Sequence, residues 1–220
     1  MNKQDILEDM GRLVVVDQMS EFIALAEALK NEGGTIEEKY ITALTGEKLD
    51  FSSIEGTGII VENCTFNRVV FQKSYFKDCL FKNCDFSNCD FSSSTFSNCL
   101  FQNIKGVGAD FSESVLKDME IKECLFRYGV FTYSLLKDCN IADSDFSESF
   151  IDNCKIKKLN LDKVNLIRAN LCKTPLKGID LRSAQIDGII LSAEAKELNG
   201  AVVELSQAAE LAKILGIIIK

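Results

Sequence analysis

Nine cysteines are the residues of this chain with the widest chemical capacity, as metal ligands, disulfide partners or nucleophiles. Eight of them are separated from one another by multiples of five residues: Cys64, Cys79, Cys84, Cys89, Cys99, Cys124, Cys139 and Cys154. Cys172 lies outside this series, the total is odd, and the chain has no histidine. Other repeats carry Ser, Ala, Val or Thr at the same position, so we interpret the cysteines as buried free thiols that fill small core slots. We expect no metal site and no cofactor.

Catalytic motifs are equally absent from the sequence. Acids such as Asp85 and Asp90 recur at five-residue spacing, so a repeat explains their positions better than a catalytic pair does. The sequence contains no glycine-rich phosphate loop, and no nucleophile with an adjacent base can be named. The sequence therefore predicts a protein that is not an enzyme and has no small-molecule substrate, and its function must lie in its surface.

A period of five residues organises the chain. From Phe51 to Leu191, every fifth residue is apolar or glycine over 29 consecutive positions, and only Gly56 and Gly106 lack an apolar side chain. Thirteen of the fifteen phenylalanines lie on this phase. Strands have a period of two and helices one of 3.6, so the pattern is an internal repeat whose units must stack to bury their apolar side chains.

The unit reads as a small residue, Asp or Asn, Phe or Leu, and two polar residues. Examples are Cys84–Asn88, Cys89–Ser93, Ala109–Glu113 and Ala169–Lys173. This pattern resembles the pentapeptide repeat family, whose consensus is Ala-(Asp/Asn)-Leu-x-x. The resemblance implies an all-β solenoid, a right-handed quadrilateral parallel β-helix in which four units form one coil. On that basis the 29 units give about seven coils.

Residues 20 positions apart stack in such a coil, so charges can be assigned to faces. Residues 51–191 hold 18 acids and 17 bases and are nearly neutral, whereas residues 1–50 carry a net charge of −6. The face that contains Phe51 concentrates acids and is our candidate partner-binding surface: Asp50, Asp90, Asp110, Glu113 and Asp152. The next face is rich in lysine: Lys77, Lys117, Lys137, Lys155, Lys157, Lys158 and Lys177. The alternative is ordinary solvated charge, with neighbouring Lys–Asp pairs that contribute little.

Both ends of the repeat carry helical signals, as a solenoid needs caps. Asp17 can cap a helix that ends at Gly33, and Thr35–Glu38 has the form of a capping box for a second helix that ends at Gly46. A short helix around Ile6 to Met10 would precede both. We therefore predict three domains: a helical N-terminal cap at residues 1–47, the β-helix at 48–193 and a C-terminal cap and dimerisation module at 194–220.

The C-terminal segment predicts a helix from Ser206 to Leu215, a C′ glycine at Gly216 and a short strand at Ile217–Ile219. This ending resembles the Qnr-like pentapeptide repeat proteins, in which the corresponding module holds a homodimer. The resemblance implies a dimer interface at these residues: Leu205, Ala208, Leu211, Ala212, Leu215, Ile217 and Ile219.

The same resemblance implies a function. Qnr-like members bind DNA gyrase or topoisomerase IV and protect them from quinolones, by a mechanism proposed to be DNA mimicry. The alternative is a structural or scaffolding module whose partner docks on the rod or its helical cap. The net charge of −8 argues against direct nucleic-acid binding. The sequence lacks a membrane-spanning apolar run and a secretory signal, which favours a cytoplasmic protein.

Overall fold

The computed structural model describes residues 12–219, and short parallel strands dominate it. Two α-helices lie at its ends: α1 (Met19–Glu32) and α2 (Leu205–Ile214), and a 3₁₀ helix spans Lys196–Leu198. The strands are β1 (Val14–Val16), β2 (Ile36–Glu37), β3 (Lys39–Thr42), β4 (Thr45–Glu47), β5 (Glu55–Thr57), β6 (Ile60–Glu62), β7 (Thr65–Asn67), β8 (Tyr75–Lys77), β9 (Leu80–Lys82), β10 (Thr95–Ser97), β11 (Leu100–Gln102), β12 (Val115–Lys117), β13 (Glu120–Lys122), β14 (Leu135–Ala142) and β15 (Lys155–Asp162). The predicted helix around Ile6 to Met10 lies outside the described residues.

Each coil contains 20 residues, as the register of the parallel pairs shows: Phe76 faces Phe96, and Phe96 faces Leu116. The predicted parallel β-helix is therefore confirmed. We number its four faces by their central columns. Face 1 contains Phe51, face 2 contains Phe76, face 3 contains Phe81 and face 4 contains Phe86, each with the residues 20 positions before and after. Six full turns separate Ile36 from Ile156 on face 2, so seven strands stack there.

The corners explain the five-residue period. The residue two positions after each central one has a positive φ in nearly every unit, at 56° for Lys73, 58° for Asn88 and 61° for Tyr133. This left-handed residue turns the chain through a corner. The residue before the centre supplies a second restraint, since Asp85, Asp90 and Asp110 accept the amide N–H two residues later at 2.8–2.9 Å. The consensus Asp or Asn is thus a turn residue.

The core consists of the central columns and the small residues two positions before them. Phenylalanine rings stack along each column, as Phe71, Phe91 and Phe111 do at 5.0 and 4.9 Å between centroids. Gly106 interrupts a column without a bulge, because Lys105 still bridges to Asp85 and Leu125. A Cβ at Gly106 would lie 2.6 Å from Cδ1 of Phe126, so glycine makes room for that ring.

The N-terminal cap differs from the prediction. Helix α1 forms as expected and places Phe22 edge-on against Phe51 at 4.8 Å, although its N-cap residue is Gln18 and not Asp17. The prediction of a second helix is wrong, because residues 36–47 form β2, β3 and β4, which pair with strands of the next coil. Stacking on the next coil outweighs the capping-box pattern, because Ile36, Ile41 and Gly46 extend the five-residue phase toward the N-terminus. The coils therefore start before the predicted boundary at residue 48.

The C-terminal end also departs from the prediction in detail. Helix α2 begins after Glu204, which forms a capping box with Gln207, rather than after Ser206. Gly216 follows the helix with a φ of 78°, as expected for C′. Residues 217–219 do not form a strand in the structure. The structure is a single chain, and no neighbouring strand pairs with this segment.

Candidate functional site

The acidic column on face 1 is built by turn chemistry. Asp90 and Asp110 are parallel bridge partners, so their carboxylates lie on adjacent coils, about 4.8 Å apart along the rod. One oxygen of each accepts the turn N–H. The other oxygen of Asp90 accepts a hydrogen bond from Nε2 of Gln72 at 2.5 Å. The column carries Val70, Val130 and Phe150 at the corresponding positions of other coils, so the acidity is local.

The other candidate acids have different surroundings. Asp152 accepts hydrogen bonds from Thr132 and Asn153, both at 2.8 Å. Glu113 is exposed and lies 3.4 Å from Oγ of Ser93. Asp50 pairs with Lys30 of α1 at 3.3 Å, and hydrogen bonds from Ser52 lower its pKa. The structure thus groups Asp90, Asp110, Glu113 and Asp152 along face 1 and ties Asp50 to the N-terminal cap.

Two aromatic residues on this face were missed by the sequence reasoning. Tyr133 is 65% exposed and occupies the corner position one coil above Glu113. Phe150 is 46% exposed and lies in the same column as Asp90 and Asp110, two residues before Asp152. The signal for Phe150 was present in the sequence. It is one of only two phenylalanines off the five-residue phase, and Phe22 of α1 is the other. Large exposed aromatic side chains are typical of protein interfaces.

The lysine-rich face 2 is partly neutralised. Lys77, Lys117 and Lys137 each lie 3.6–3.9 Å from a carboxylate oxygen of the following aspartate. Lys158 pairs with Asp138 at 3.2 Å, one coil below. Such exposed pairs contribute little stability, but they reduce the free charge on this face. The excess of positive charge on face 2 is therefore weaker than a count of residues suggests.

The C-terminal end exposes a cluster of large apolar side chains. Among the predicted interface residues, Leu205 is 89% exposed, and Leu215, Ile217 and Ile219 are about half exposed. Ile218, which the prediction did not include, is 84% exposed. Leu211 differs, because it is buried in the core of its own chain and closes the last coil. Ala208 is exposed and Ala212 is half-buried. Leu211 therefore supports the cap and does not offer an open contact surface.

The cysteines behave as buried small residues. Eight are buried, all nine are free, and Cys89, Cys99 and Cys154 donate Sγ–H to backbone carbonyls of the preceding coil at 3.0–3.4 Å. Burial raises the pKa of Cys89 and of Cys124 to about 12. Thiols with raised pKa values are poor nucleophiles at neutral pH. Within residues 12–219, no group of three or more His, Cys, Asp or Glu is arranged to hold a metal ion.

Comparison with known proteins agrees with the repeat geometry. The family model for a pentapeptide repeat region matches residues 59–129 and 74–151. Residues 59–151, the part that the model matches, thus consist of pentapeptide repeats. No curated protein sequence matches the chain. None of the helices in the described part is long and apolar enough to cross a membrane.

Several solved structures resemble the chain, with TM-scores below 0.5. A trypsin-treated form of QnrB1, described as a plasmid-mediated fluoroquinolone resistance protein, has a TM-score of 0.47 and 18% identity, covering 82% of this chain and 100% of its own. HetL from the cyanobacterium Nostoc sp. strain PCC 7120 has a TM-score of 0.35 and 10% identity, with 82% and 93% coverage. Rfr23 from the cyanobacterium Cyanothece 51142 has a TM-score of 0.35 and 10% identity, with 64% and 96% coverage. These likenesses concern the fold alone.

Proposed function

We propose that this pentapeptide repeat protein is a non-enzymatic binding rod. Its partner is a type II topoisomerase, DNA gyrase or topoisomerase IV, which it contacts through face 1 in place of DNA. This extends the resemblance of the repeat and of the C-terminal segment to the Qnr-like proteins. Under this proposal, the chain confers quinolone resistance by occupying the DNA-binding surface of the enzyme. The observation that carries it is the stacked group of Asp90, Asp110, Glu113 and Asp152.

Charge spacing sets how far the mimicry extends. Asp90 and Asp152 lie three coils apart, a distance of roughly 14 Å along the rod. These four carboxylates compare with about eight phosphate charges on B-DNA of that length. The acidic group therefore has about half the charge density of DNA. Electrostatics can orient the rod on a basic groove, and further contacts must supply the remaining affinity.

Tyr133 and Phe150 are suited to supply those contacts. Both are exposed on the same face as the acidic group, within one coil of Glu113 and Asp152. Buried aromatic anchors surrounded by polar residues carry much of the binding energy at protein interfaces. We therefore place the centre of the partner interface on the coils that contain Glu113, Tyr133 and Asp152.

The rod is further proposed to be a homodimer joined at its C-terminal ends. Leu205, Ile217, Ile218 and Ile219 expose apolar side chains at one end of the molecule. An isologous contact there would cover them and double the length of the rod. Replacing Ile217 and Ile219 by Asp should give monomers with an intact fold in sedimentation experiments. Leu211→Asp is unsuitable as a test, because it would unfold the cap.

The function is tested by gyrase supercoiling with ciprofloxacin, together with direct binding of the purified proteins. The informative variant combines Asp90→Asn, Asp110→Asn and Glu113→Gln. Asn keeps the oxygen that accepts the turn N–H, so the variant removes charge and preserves the corner. We expect binding to weaken at least tenfold and protection from ciprofloxacin to be lost.

The matched control removes charge from face 4 instead. Asp85→Asn, Asp145→Asn and Glu148→Gln remove three charges from the same positions of the repeat unit, and both aspartates accept the N–H two residues later at 2.8–2.9 Å. This variant should bind gyrase like the wild type. Equal loss in both variants would point to net charge rather than to face 1. Absence of wild-type binding at micromolar concentrations would exclude the topoisomerase as partner.

The alternative is a scaffolding function, in which face 1 binds a protein unrelated to topoisomerases. The near-neutral repeat favours it, since residues 51–191 hold 18 acids and 17 bases and a DNA mimic needs dense negative charge. Binding of the purified wild type to purified gyrase separates the two functions. A scaffold should retain a partner in a pull-down experiment that Tyr133→Ser with Phe150→Ser abolishes, and it should show no binding to gyrase.

A further inference from the structure

The hydrogen-bond ladder of the rod opens at one place. On face 2, Tyr75, Thr95, Val115, Leu135 and Lys155 each donate their N–H to the carbonyl 21 residues earlier at 2.9 Å. On face 3, Leu80, Leu100, Glu120 and Asn140 do the same at 2.9–3.0 Å. The next member of the face 2 row is Pro175. On face 3 the next member is Asn160 of β15, which still pairs with β14, and Asp180 follows it. Within residues 12–219, neither Pro175 nor Asp180 donates to the coil below.

The other two faces remain closed at the same level. Gln185 donates to Val164 O and Ile190 to Ala169 O, both at 2.9 Å. The coil at residues 175–183 pairs upward instead, since Leu176 N–H reaches Glu197 O at 2.9 Å and Leu181 N–H reaches Val202 O at 2.8 Å. The backbone ladder between the last coil and the rod is thus open on faces 2 and 3 and closed on faces 4 and 1. One side-chain contact crosses the opening, since the hydroxyl of Ser183 donates to Leu161 O at 3.0 Å.

Proline explains the position of the opening. Pro175 is the only proline in the chain, and it occupies the row in which an N–H joins one coil to the next. Proline has no N–H to donate, and in sheets it occurs at edges. Strand β15 therefore pairs with β14 alone among the described strands and is an edge strand in the middle of the rod. We call this opening between residues 155–163 and 175–183 the seam.

The seam leaves apolar side chains partly uncovered. Ile156, Leu159 and Leu161 are half-buried, whereas the equivalent Leu136, Cys139 and Ile141 of the preceding coil are buried. An apolar cavity of about 40 Å³ lies behind them. Outside, Leu159, Leu161, Gly178 and Arg182 line a cleft of about 450 Å³. That volume lies within the range of sites that hold small molecules.

Basic side chains surround this edge. The two segments of the seam contain only two acids, Asp162 and Asp180. They contain six bases: Lys155, Lys157, Lys158, Lys163, Lys177 and Arg182. The net charge of the two segments is therefore +4, and Glu204 in the cleft lowers it to +3, whereas the whole chain carries −8. Lys158, Lys163 and Arg182 have carboxylate partners. No ion pair is found for Lys155, Lys157 or Lys177 in the described part of the chain.

We propose that the seam is a binding site for an extended acidic peptide strand of a partner protein, which adds to the free edge of β15. The amides of Ile156, Lys158 and Leu161 would pair with the peptide backbone, as strand addition requires. Alternate acidic side chains would face Lys155, Lys157 and Lys177, and an apolar side chain would cover Leu161. This site is independent of the topoisomerase function proposed for face 1.

The test uses the full chain and a fluorescent heptapeptide of alternating Glu and Val with blocked termini. Binding is followed by fluorescence anisotropy and by hydrogen exchange of the β15 amides. We expect saturable binding that protects Ile156 and Leu161. A peptide of the same sequence with N-methylated valines keeps every charge but cannot donate at those positions, and it should bind at least tenfold more weakly.

Two variants locate the site. Lys155→Gln with Lys157→Gln should weaken binding of the heptapeptide at least tenfold. Lys117→Gln with Lys137→Gln, on the same face where the ladder is closed, should change the binding affinity less than twofold. Pro175→Thr restores the missing N–H and should also weaken binding. Equal binding of the N-methylated peptide, preference for an oligonucleotide of equal charge, or self-association through the seam would each overturn the proposal.

Discussion

The lower and upper parts of the rod share a backbone repeat and differ in how it is filled. From Phe51 to Phe146, phenylalanine rings pack at 4.9–6.5 Å between centroids, and the ladder is closed on all faces. From Ile151 to Leu191, the central residues are all aliphatic, and the ladder opens at the seam. The comparison shows that the five-residue phase specifies the coil. Whether neighbouring coils pack tightly and stay hydrogen-bonded depends on the volume of the central side chains and on individual backbone N–H groups, such as the one that Pro175 lacks.

The apolar cavity lies at the change from aromatic to aliphatic residues. Its lining includes Phe131 and Phe146 from below and Leu176 and Leu181 from above. Smaller side chains leave more unfilled space where the columns narrow, about 40 Å³ compared with about 20 Å³ in the aromatic part, and unfilled space lowers stability. The lower part should therefore contribute most of the stability of the rod, and the upper part should open first.

The largest effect is expected from the aromatic core. Phe96 is fully buried and contacts the rings of Phe76, Phe91 and Phe101. Phe96→Ala should lower the free energy of unfolding by about 3–5 kcal/mol. Leu171→Ala in the upper part should cost less, about 2–3 kcal/mol, because neighbours around the cavity can relax. Denaturant unfolding of both variants measures the difference, and a larger loss for Leu171→Ala would contradict it.

A smaller loss is expected where a column lacks a side chain. Gly106→Ala would push into the ring of Phe126 and should cost about 1–3 kcal/mol. Gly56→Ala is the matched control. Its Cβ would lie 2.9 Å from the terminal Cδ1 of Ile59 and 3.1 Å from the ring of Phe76, which is looser than the contact at Gly106, so the loss should be smaller. Thermal unfolding of the two variants gives the order, and equal losses would show that the Phe126 contact is unimportant.

Filling the cavity should stabilise the upper part slightly. Ile156→Phe adds volume beside a cavity of about 40 Å³ and should gain up to about 1 kcal/mol. Leu116→Phe places the same ring in the same column, two coils lower, where Leu116 is 1% exposed. It should destabilise through overpacking. If both variants are destabilised, the aliphatic part is as tightly packed as the aromatic part.

The smallest effect concerns pH and the C-terminal cap. Burial acts to raise the pKa of Glu197, but hydrogen bonds from Lys173 N–H and from Ser192 outweigh it, so the pKa lies below its ordinary value of 4.5. A lowered folded-state pKa contributes stability that is complete above pH 4.5 and is lost as the pH falls. Acidification should therefore loosen the cap before the aromatic part. Acidification should lower the midpoint of thermal unfolding, and this decrease should be about 2 °C smaller in Glu197→Gln than in the wild type.

The sequence predicted the coil from Phe51 onward because its phase does not slip. It failed at residues 36–47, where the capping-box pattern of Thr35–Glu38 looked helical. There, stacking on the next coil overrode local helix signals, and only the continued phase of Ile36 and Ile41 could have shown it. The C-terminal helix was predicted within two residues, because its apolar spacing is helical.

The candidate surfaces were predictable only in part. Asp90 and Asp110 follow from the 20-residue coil, whereas the pairing of Asp50 with Lys30 depends on how α1 packs. Leu211 fits the helical apolar face, and the sequence does not say whether that face covers its own core or a second copy. The seam follows from Pro175, whose meaning depends on the donor row that the structure reveals.

Hydrogen exchange of the native protein tests the difference between the two parts most directly. The amides of Ile156 and Leu161 on the seam should exchange quickly, near the rate of an open edge, whereas those of Leu116 and Ile121 should be protected to the level of global unfolding. Pro175→Thr should slow exchange at Ile156 toward that of Leu116. Equal protection of Ile156 and Leu116 in the wild type would show that the ladder is closed throughout and would contradict the account.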